Sequence, residues 1–280
     1  IAPASGQKIN GGSADGNLII STEGQGLTFV YVDGTVGWKT VHENEFTGQG
    51  SVNIIATGGT VTCCGNFRIH TFTGPGTFTV SGIAATPACN AMALMVVAGG
   101  GGGGGSVPGF YSGGGGGAGG YREFQTSPVT PYTASPLVNT TGITATVGSF
   151  PIVIGGGGTG GCGSTGSNPG RTCGTAGVNS SALSQTSAGG GLGGKSGQPG
   201  TQNAGKGGNG GSGGGSGGYA NPSNAPAGSG NTPPVSPPQG QNGGSGDTPT
   251  SGRAGGGGGA GGAGVGAPHP AYGAAGGAGT

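Results

Sequence analysis

Seven consecutive glycines, Gly99 to Gly105, follow directly on the apolar run Met92-Ala93-Leu94-Met95-Val96-Val97-Ala98. They divide the chain: of 81 glycines, 16 precede position 99 and the other 65 follow it. Fixing a backbone costs ~1 to 2 kcal/mol per residue, and glycine loses the most freedom of all. A chain of this kind either stays a flexible coil or recovers that cost by lateral pairing of its backbone.

Spacing points to pairing. In Gly205-Lys206-Gly207-Gly208-Asn209-Gly210-Gly211-Ser212-Gly213 the side chains fall at every third position. An extended helix with three residues per turn and ~3.1 Å rise places Lys206, Asn209 and Ser212 on one edge and leaves two edges bare. Leu192, Lys195, Gln198 and Thr201 keep the same step, as do Ala254, Ala260 and Ala263 in the last glycine run. Such helices hold no internal hydrogen bonds, so buried N–H and C=O groups must pair with neighbouring segments. The expected fold class is all-β plus polyglycine II, with almost no α-helix because no stretch sustains a helical period. Three regions follow: 1–60, an N-terminal β-region expected to oligomerise; 61–98, a β-strand region; and 99–280, a bundle of polyglycine helices joined by irregular loops.

Charged residues make up 5% of the chain and the formal net charge is +1. That excludes a nucleic-acid footprint and an acidic solvated tail. Beyond position 99 the only carboxylate side chains are Glu123 and Asp247. At 30% hydrophobic and 5% aromatic, the chain is too poor in apolar residues for one large conventional core. No apolar stretch reaches the length of a bilayer-spanning helix. The chain starts at Ile1 without an initiating Met or an apolar leader, so no targeting signal is read. Cys63, Cys64, Cys89, Cys162 and Cys173 show no zinc-type spacing; a Cys162 to Cys173 bridge would close an irregular loop, and Cys89 could pair with Cys63 or Cys64. Bridges would imply an oxidising, extracellular setting.

In chain order, strands are expected at Leu18-Ile19-Ile20, Leu27 to Val32 and Val36 to Val41, with turns at Glu23 to Gly26 and Asp33-Gly34. The Leu27 to Val32 strand has apolar residues on both faces, and a lone sheet of three strands would expose one of them. A homotrimer through residues 1–60 would cover it. Short strands are expected within Ser51 to Ala56 and at Thr60 to Cys64. Phe67 to Phe72 and Gly76 to Ser81 flank Gly74-Pro75 and read as a hairpin. Ala91 to Ala98 reads as a buried strand, followed by strands at Gly120 to Thr126, Ala145 to Val147 and Ile152 to Ile154. Tyr219 to Pro238, with two Pro-Pro pairs, and Ala267 to Tyr272 read as loops.

Catalytic motifs fail on context. Gly189 to Ser196 fits G-x-x-x-x-G-K-[ST] literally, but a polar stretch precedes it and Gly197-Gln198-Pro199-Gly200 cannot form the helix a phosphate site needs. The triplets at 191–202 and 205–219 are too short and change register, which argues against collagen. His42, His70 and His269 lie near no nucleophile or carboxylate pair, and Arg68, Arg122, Arg171 and Arg253 are isolated. The chain is expected to be no enzyme, with no cofactor and no metal.

Leu27-Thr28-Phe29-Val30-Tyr31-Val32-Asp33-Gly34-Thr35-Val36-Gly37-Trp38-Lys39 resembles the short β-repeats of bacteriophage tail and virion fibre proteins. From Phe67 onward the chain is similar to their glycine-rich tip domains, on the residues Phe78-Thr79-Val80, Met95-Val96-Val97-Ala98, the glycine run and Gly120-Tyr121-Arg122. The resemblance implies a virion-surface, extracellular adhesin that meets a host receptor, protein or glycan, through loops between polyglycine helices, with other virion proteins as partners. A virion decoration or an extracellular glycine-rich structural or ice-binding protein is the alternative. Glycine edges offer only backbone, so recognition is expected from loop side chains: Phe110, Tyr111, Tyr219, His269 and Tyr272.

Overall fold

The computed structural model describes residues 4–9, 14, 28–40, 53–65, 67–84, 86–107, 111–125, 132–164, 170–197, 205–218, 225–247, 252–267 and 274–280. The chain forms two compact units, residues 1–50 and 51–280.

In the first unit, β1 (Phe29–Asp33) pairs antiparallel with β2 (Gly37–Thr40). The Asp33-Gly34 turn forms as expected, with Asp33 Oδ1 accepting from Thr35 N at 2.8 Å and Val36 N at 2.7 Å. Gly37 has φ +75°, and a Cβ there would lie 2.1 Å from Lys8 O. Trp38 anchors the incoming chain: its N–H donates to Lys8 O, its Nε1 donates to Gln7 Oε1 at 2.6 Å, and its ring meets Tyr31 edge-on at 5.5 Å. Val30, Tyr31 and Val32 remain about half exposed. The expected strand at Leu18 to Ile20 lies outside the described residues.

The second unit is β-structured, and its only helical turn among the described residues is a 3-10 turn at Pro87–Asn90. Its strands are β3 (Ile55–Thr57), β4 (Thr60–Cys64), β5 (Phe67–Thr71), β6 (Gly76–Gly82), β7 (Ala91–Met92), β8 (Leu94–Val97), β9 (Tyr121–Phe124), β10 (Val138–Asn139), β11 (Ile143–Thr144), β12 (Gly148–Ile152), β13 (Ser180–Ala182) and β14 (Gln185–Ser187). They form small sheets ordered β12-β6-β3, β10-β9-β8, β11-β7, β13-β14 and β4-β5. In β6, strict alternation sends Phe78 and Val80 inward and Thr77 and Thr79 outward. With Ala56, Val96, Ile152 and Ala182 they make the apolar core.

Several strand expectations need correction. The hairpin is β4 with β5, in register from Thr60↔Thr71 to Cys64↔Phe67, whereas β6 leaves β5 to pair with β3 and β12. Gly74-Pro75 therefore joins two sheets; Phe78 and Val80 gain the core that a pairing with exposed β5 lacks. The Ala91 to Ala98 run is two strands, β7 and β8, and it is buried on one side only. Val96 is inside, while Met95 and Val97 are exposed, as period two demands of a half-covered sheet. The strand placed at Ala145 to Val147 falls at 148–152 instead, because Ala145 is buried with its N–H given to Asn90 O. Ile152 ends β12, and Val153 makes an isolated bridge to Ser181. All five cysteines are unpaired thiols; Cys173 turns toward Lys195, whose N–H approaches its Sγ at 3.5 Å.

Beyond Ala98 the chain runs as extended glycine segments that hydrogen-bond sideways to one another, and the bonds recur every third residue. Ala98, Gly101 and Gly104 donate to Gly120, Gly117 and Gly114. Gly99, Gly102 and Gly105 donate to Val178, Thr175 and Thr172, and accept from Gly190, Gly193 and Ser196. Gly100 and Gly103 accept from Gly158 and Gly161. The segment at 98–105 is thus bonded to four others, and the one at 188–197 is buried among them.

Positive φ explains little of this packing: among the described residues the glycines with positive φ are Gly6, Gly37, Gly58, Gly59, Gly65, Gly148 and Gly252, and of these Gly252 alone joins the lateral bonding, accepting from Ser112. What the interior requires is the missing Cβ. Added to Gly101 or Gly104, it would lie 2.1 or 2.0 Å from the carbonyl oxygen of Gly191 or Gly194. Side chains fall at the third position: Thr159, Cys162, Thr172, Thr175 and Val178 are exposed, whereas Leu192 and Lys195 are half-buried beside the 205–208 segment, whose Gly208 and Gly205 donate to their carbonyls.

Two register expectations fail for one reason. Lys206 and Asn209 are exposed, but Ser212 is fully buried and donates its hydroxyl to Gly259 O at 3.1 Å. The chain bends at 210–212 and returns antiparallel, with Gly214 and Gly217 donating to Gly208 and Gly205. A second bend at 260–262 likewise leaves Ala254 and Ala260 buried and Ala263 exposed. A side chain's period carries across a straight segment and is lost at a reversal.

Candidate functional site

The glycine segments are bonded to one another, and exposed side chains stand along their outer edges and where they turn. Of the five expected recognition residues, Phe110, Tyr219, His269 and Tyr272 lie outside the described residues. Tyr111 is described. It forms an antiparallel bridge to Val107: Tyr111 N donates to Val107 O at 3.2 Å and Val107 N to Tyr111 O at 3.0 Å. Val107 is buried and Tyr111 is half-buried, at the end of the 98–105 segment and the start of the next.

The described part of the Pro-rich loop is a tightly bonded turn. Asn231, at φ +48°, accepts on Oδ1 from Val235 N at 3.0 Å and Gln239 N at 3.3 Å, and donates from Nδ2 to Val235 O at 3.1 Å. Gln239 is buried; its Nε2 donates to Pro233 O and its Oε1 accepts from Ala188 N, both at 2.8 Å. One amide thereby clamps the loop to the end of the 188–197 segment. Thr232, Pro233, Pro234 and Ser236 stay exposed on its outer side.

A polar cluster that sequence reasoning missed lies on β9. Glu123 is 1% exposed, and its Oε2 accepts from Tyr121 OH at 2.9 Å and from Ser135 N at 3.1 Å. Burial pushes its pKa up, but hydrogen bonds from Ser135, Tyr121 and Tyr132 outweigh this and hold the carboxyl below its ordinary range. Burial and the bond to Glu123 push the Tyr132 phenol up to about 12, and burial raises Tyr121 as well. The cluster ties the 132–139 stretch onto the sheet. Its sequence signal was the rarity of Glu123 as an acid in an apolar strand. The guanidinium of Arg122, in the same strand, lies 4.9 Å from the centre of the Phe124 ring.

The literal phosphate-loop match is an interior segment. Gly190, Gly191, Gly193, Gly194 and Ser196 already donate their N–H groups to Gly99, Ser212, Gly102, Gly215 and Gly105. Those five N–H groups are therefore not available to cradle a phosphate. Among the described residues no group of three or more His, Cys, Asp or Glu could hold a metal ion, and no helix is long and apolar enough to cross a membrane.

No family model, curated protein or solved structure matches the chain.

Proposed function

We propose that the chain is a non-enzymatic attachment protein of a virus particle, a tail fibre or adhesin tip that meets the host surface through the loops of a polyglycine II bundle. The observation that carries this reading is the step-of-three lateral bonding, which makes a rigid scaffold from segments that have almost no side chains and leaves contact chemistry to the loops. Three residues per turn is the period of polyglycine II, and the extended, non-positive φ of the interior glycines is consistent with it. Tyr111 at a segment end fits the display role: an aromatic ring supplies contact area at low entropic cost and stacks on sugars.

The half-exposed Val30, Tyr31 and Val32 on β1 support a homotrimer through the first unit, in which each copy covers its neighbour's strand. The test is adsorption. Replacing Phe110 and Tyr111 with Ser, and separately Tyr219 and Tyr272, is expected to reduce binding to host cells while the melting temperature stays nearly constant. Undiminished adsorption in both double variants overturns the reading. A monomeric mass in solution removes the trimer.

A further inference from the structure

The sideways bonds that hold the bundle also fix its direction. Gly158, Gly161 and Ser164 donate to Gly100, Gly103 and Ser106, and Gly190, Gly193 and Ser196 to Gly99, Gly102 and Gly105, so these segments advance together away from the sheets at Ala98. The 170–178 and 205–211 segments return: Gly105 donates to Thr172 and Gly99 to Val178, while Gly205 and Gly211 donate to Lys195 and Gly189. The level reached by Gly105 and Ser196 continues across the bundle, because Gly197 donates to Gly218, Gly218 to Ser112 and Ser112 to Gly252. One end of the bundle thus adjoins β8 and β9, and the other lies a segment's length away from them.

Beyond Glu123 the sequence holds five charged side chains, Arg171, Lys195, Lys206, Asp247 and Arg253. All of them fall at the far end. Arg171, Lys195, Lys206 and Arg253 adjoin Thr172, Ser196, Gly205 and Gly252 of that level, and Asp247 N donates to Arg253 O at 2.8 Å. Four cations and one acid make this end more positive than the chain as a whole, which carries +1.

The acid is set apart from three of the cations. Among the described residues the 239–247 segment, which carries Asp247, forms no backbone bond with the 170–178, 188–197 or 205–211 segments. The other acid beyond position 51 is Glu123, held in β9 by Tyr121 and Ser135. Arg171, Lys195 and Lys206 are therefore a cluster without a carboxylate of their own unit. Arg171 is 6% exposed; its Nη1 donates to Ser196 Oγ at 3.3 Å and to Gly197 O, and its Nε is buried with no hydrogen-bond partner. Lys195 is half-buried and Lys206 exposed, and they meet at Gly205, where a Cβ would lie 3.0 Å from Lys195 Cγ. A buried guanidinium that lacks a counter-charge is screened less than one in water, and its field adds to that of the two lysines.

We propose that this far end binds an acidic polysaccharide, whose carboxylate or phosphate groups meet Lys195 and Lys206 in the field of Arg171. The surrounding residue types select the partner. Stretches 170–173, 195–197 and 205–206 hold no aromatic or large aliphatic residue, and the sequence of the connecting residues 165–169 and 198–204 adds none and no acid. A protein interface buries an apolar centre, and single-stranded nucleic acid stacks its bases on aromatic rings; these residues offer neither. An acidic polysaccharide needs only cations and polar groups. The inference deepens the attachment reading by naming the chemistry met on the host, and it rests on that reading for its cellular setting alone.

The test is binding of the full chain to immobilised polygalacturonate and phosphomannan, with neutral dextran as control. Binding is expected to the acidic polymers and not to dextran, and it is expected to weaken as salt rises from about 0.02 to 0.3 M. Lys206→Gln, at an exposed position, is expected to weaken binding about threefold at the lower salt, and Lys195→Gln with Lys206→Gln about tenfold, with melting temperatures kept. Arg68→Gln removes an exposed charge from β5, outside the bundle, and is expected to bind like the parent chain. Failure to bind either acidic polymer overturns the proposal, as does equal binding to dextran or undiminished binding by the double lysine variant. Tighter binding of a single-stranded oligothymidylate than of both acidic polymers also overturns it and assigns the cluster to nucleic acid. Each of these results leaves the attachment reading standing, since that is decided by adsorption of the aromatic variants.

Discussion

The sheet core and the glycine bundle belong to one compact unit but are held together by opposite means. Around Phe78, Val80, Val96 and Ile152, strands keep their distance and side chains fill the space between them. Around Gly101, Gly104, Gly191 and Gly194 the backbones themselves touch, and nothing is left to fill. In the first region a missing methylene leaves a hole; in the second an added methyl group has nowhere to go. Stability in the sheets scales with apolar area, while in the bundle it comes from backbone hydrogen bonds and close dispersion contact, with glycine enforced by distance.

This contrast can be broken by substitution. The largest loss is expected for Phe78→Ala, about 3 to 5 kcal/mol from a buried aromatic, read by chemical denaturation. Gly104→Ala follows: its Cβ would sit 2.0 Å from a backbone oxygen that cannot swing aside, and overpacking of this kind costs about 1 to 3 kcal/mol or more. If it is as mild as a surface change, the bundle is looser than its bonding implies.

Glu123→Gln tests a third kind of support, the polar tie of the 132–139 stretch onto β9, with about 1 to 3 kcal/mol expected from leaving a buried network half made. The sign of its pH dependence follows from the shifts. The Glu123 pKa is lowered on folding, so its contribution is present above the ordinary carboxylate pKa and is lost as pH falls through the lower folded value. The Tyr132 pKa is raised, so its contribution is complete below the ordinary phenol value of about 10 and is lost as pH rises toward about 12. Melting temperatures across both ranges check this, and the expected control is a shallower alkaline limb in Tyr132→Phe, with the remainder left by Tyr121, whose pKa is also raised.

The smallest effect sharpens the comparison most. Gly100 lies in the same segment as Gly104, but a Cβ there comes no closer than 3.7 Å to Gly117 O. Gly100→Ala is expected to be neutral, or to stabilise by about 0.4 to 1 kcal/mol through a less flexible unfolded chain. A loss as large as that of Gly104→Ala would show that position along the step of three does not decide which glycines are needed.

Much of the architecture was legible in the chain. Alternation placed β4, β6 and β9 near their observed bounds, and Asp33-Gly34 announced its turn. The β13 and β14 hairpin was not legible, since Ser180-Ser181-Ala182 and Gln185-Thr186-Ser187 are polar or small and turn through Leu183 and Ser184 at positive φ, without a glycine. The proposed recognition site is written in the chain only as a set of aromatic residues between glycine runs, and Tyr111 alone of these has a described place, bridged to Val107.

What the sequence determined by itself was local: the absence of sustained helix, the alternation that buries Phe78 and Val80, and the step of three that places Leu192 and Lys195 on one half-buried edge of their segment. Those follow from backbone geometry within a few residues. Tertiary structure alone decided which segments lie side by side, and so which glycines are sterically required. The partners of a bare backbone are chosen by N–H and C=O groups that every residue carries, so no residue type records the choice. Hence Gly100 and Gly104 are identical as letters, and Ser212 leaves the edge of Lys206 and Asn209 only because the chain reverses between them.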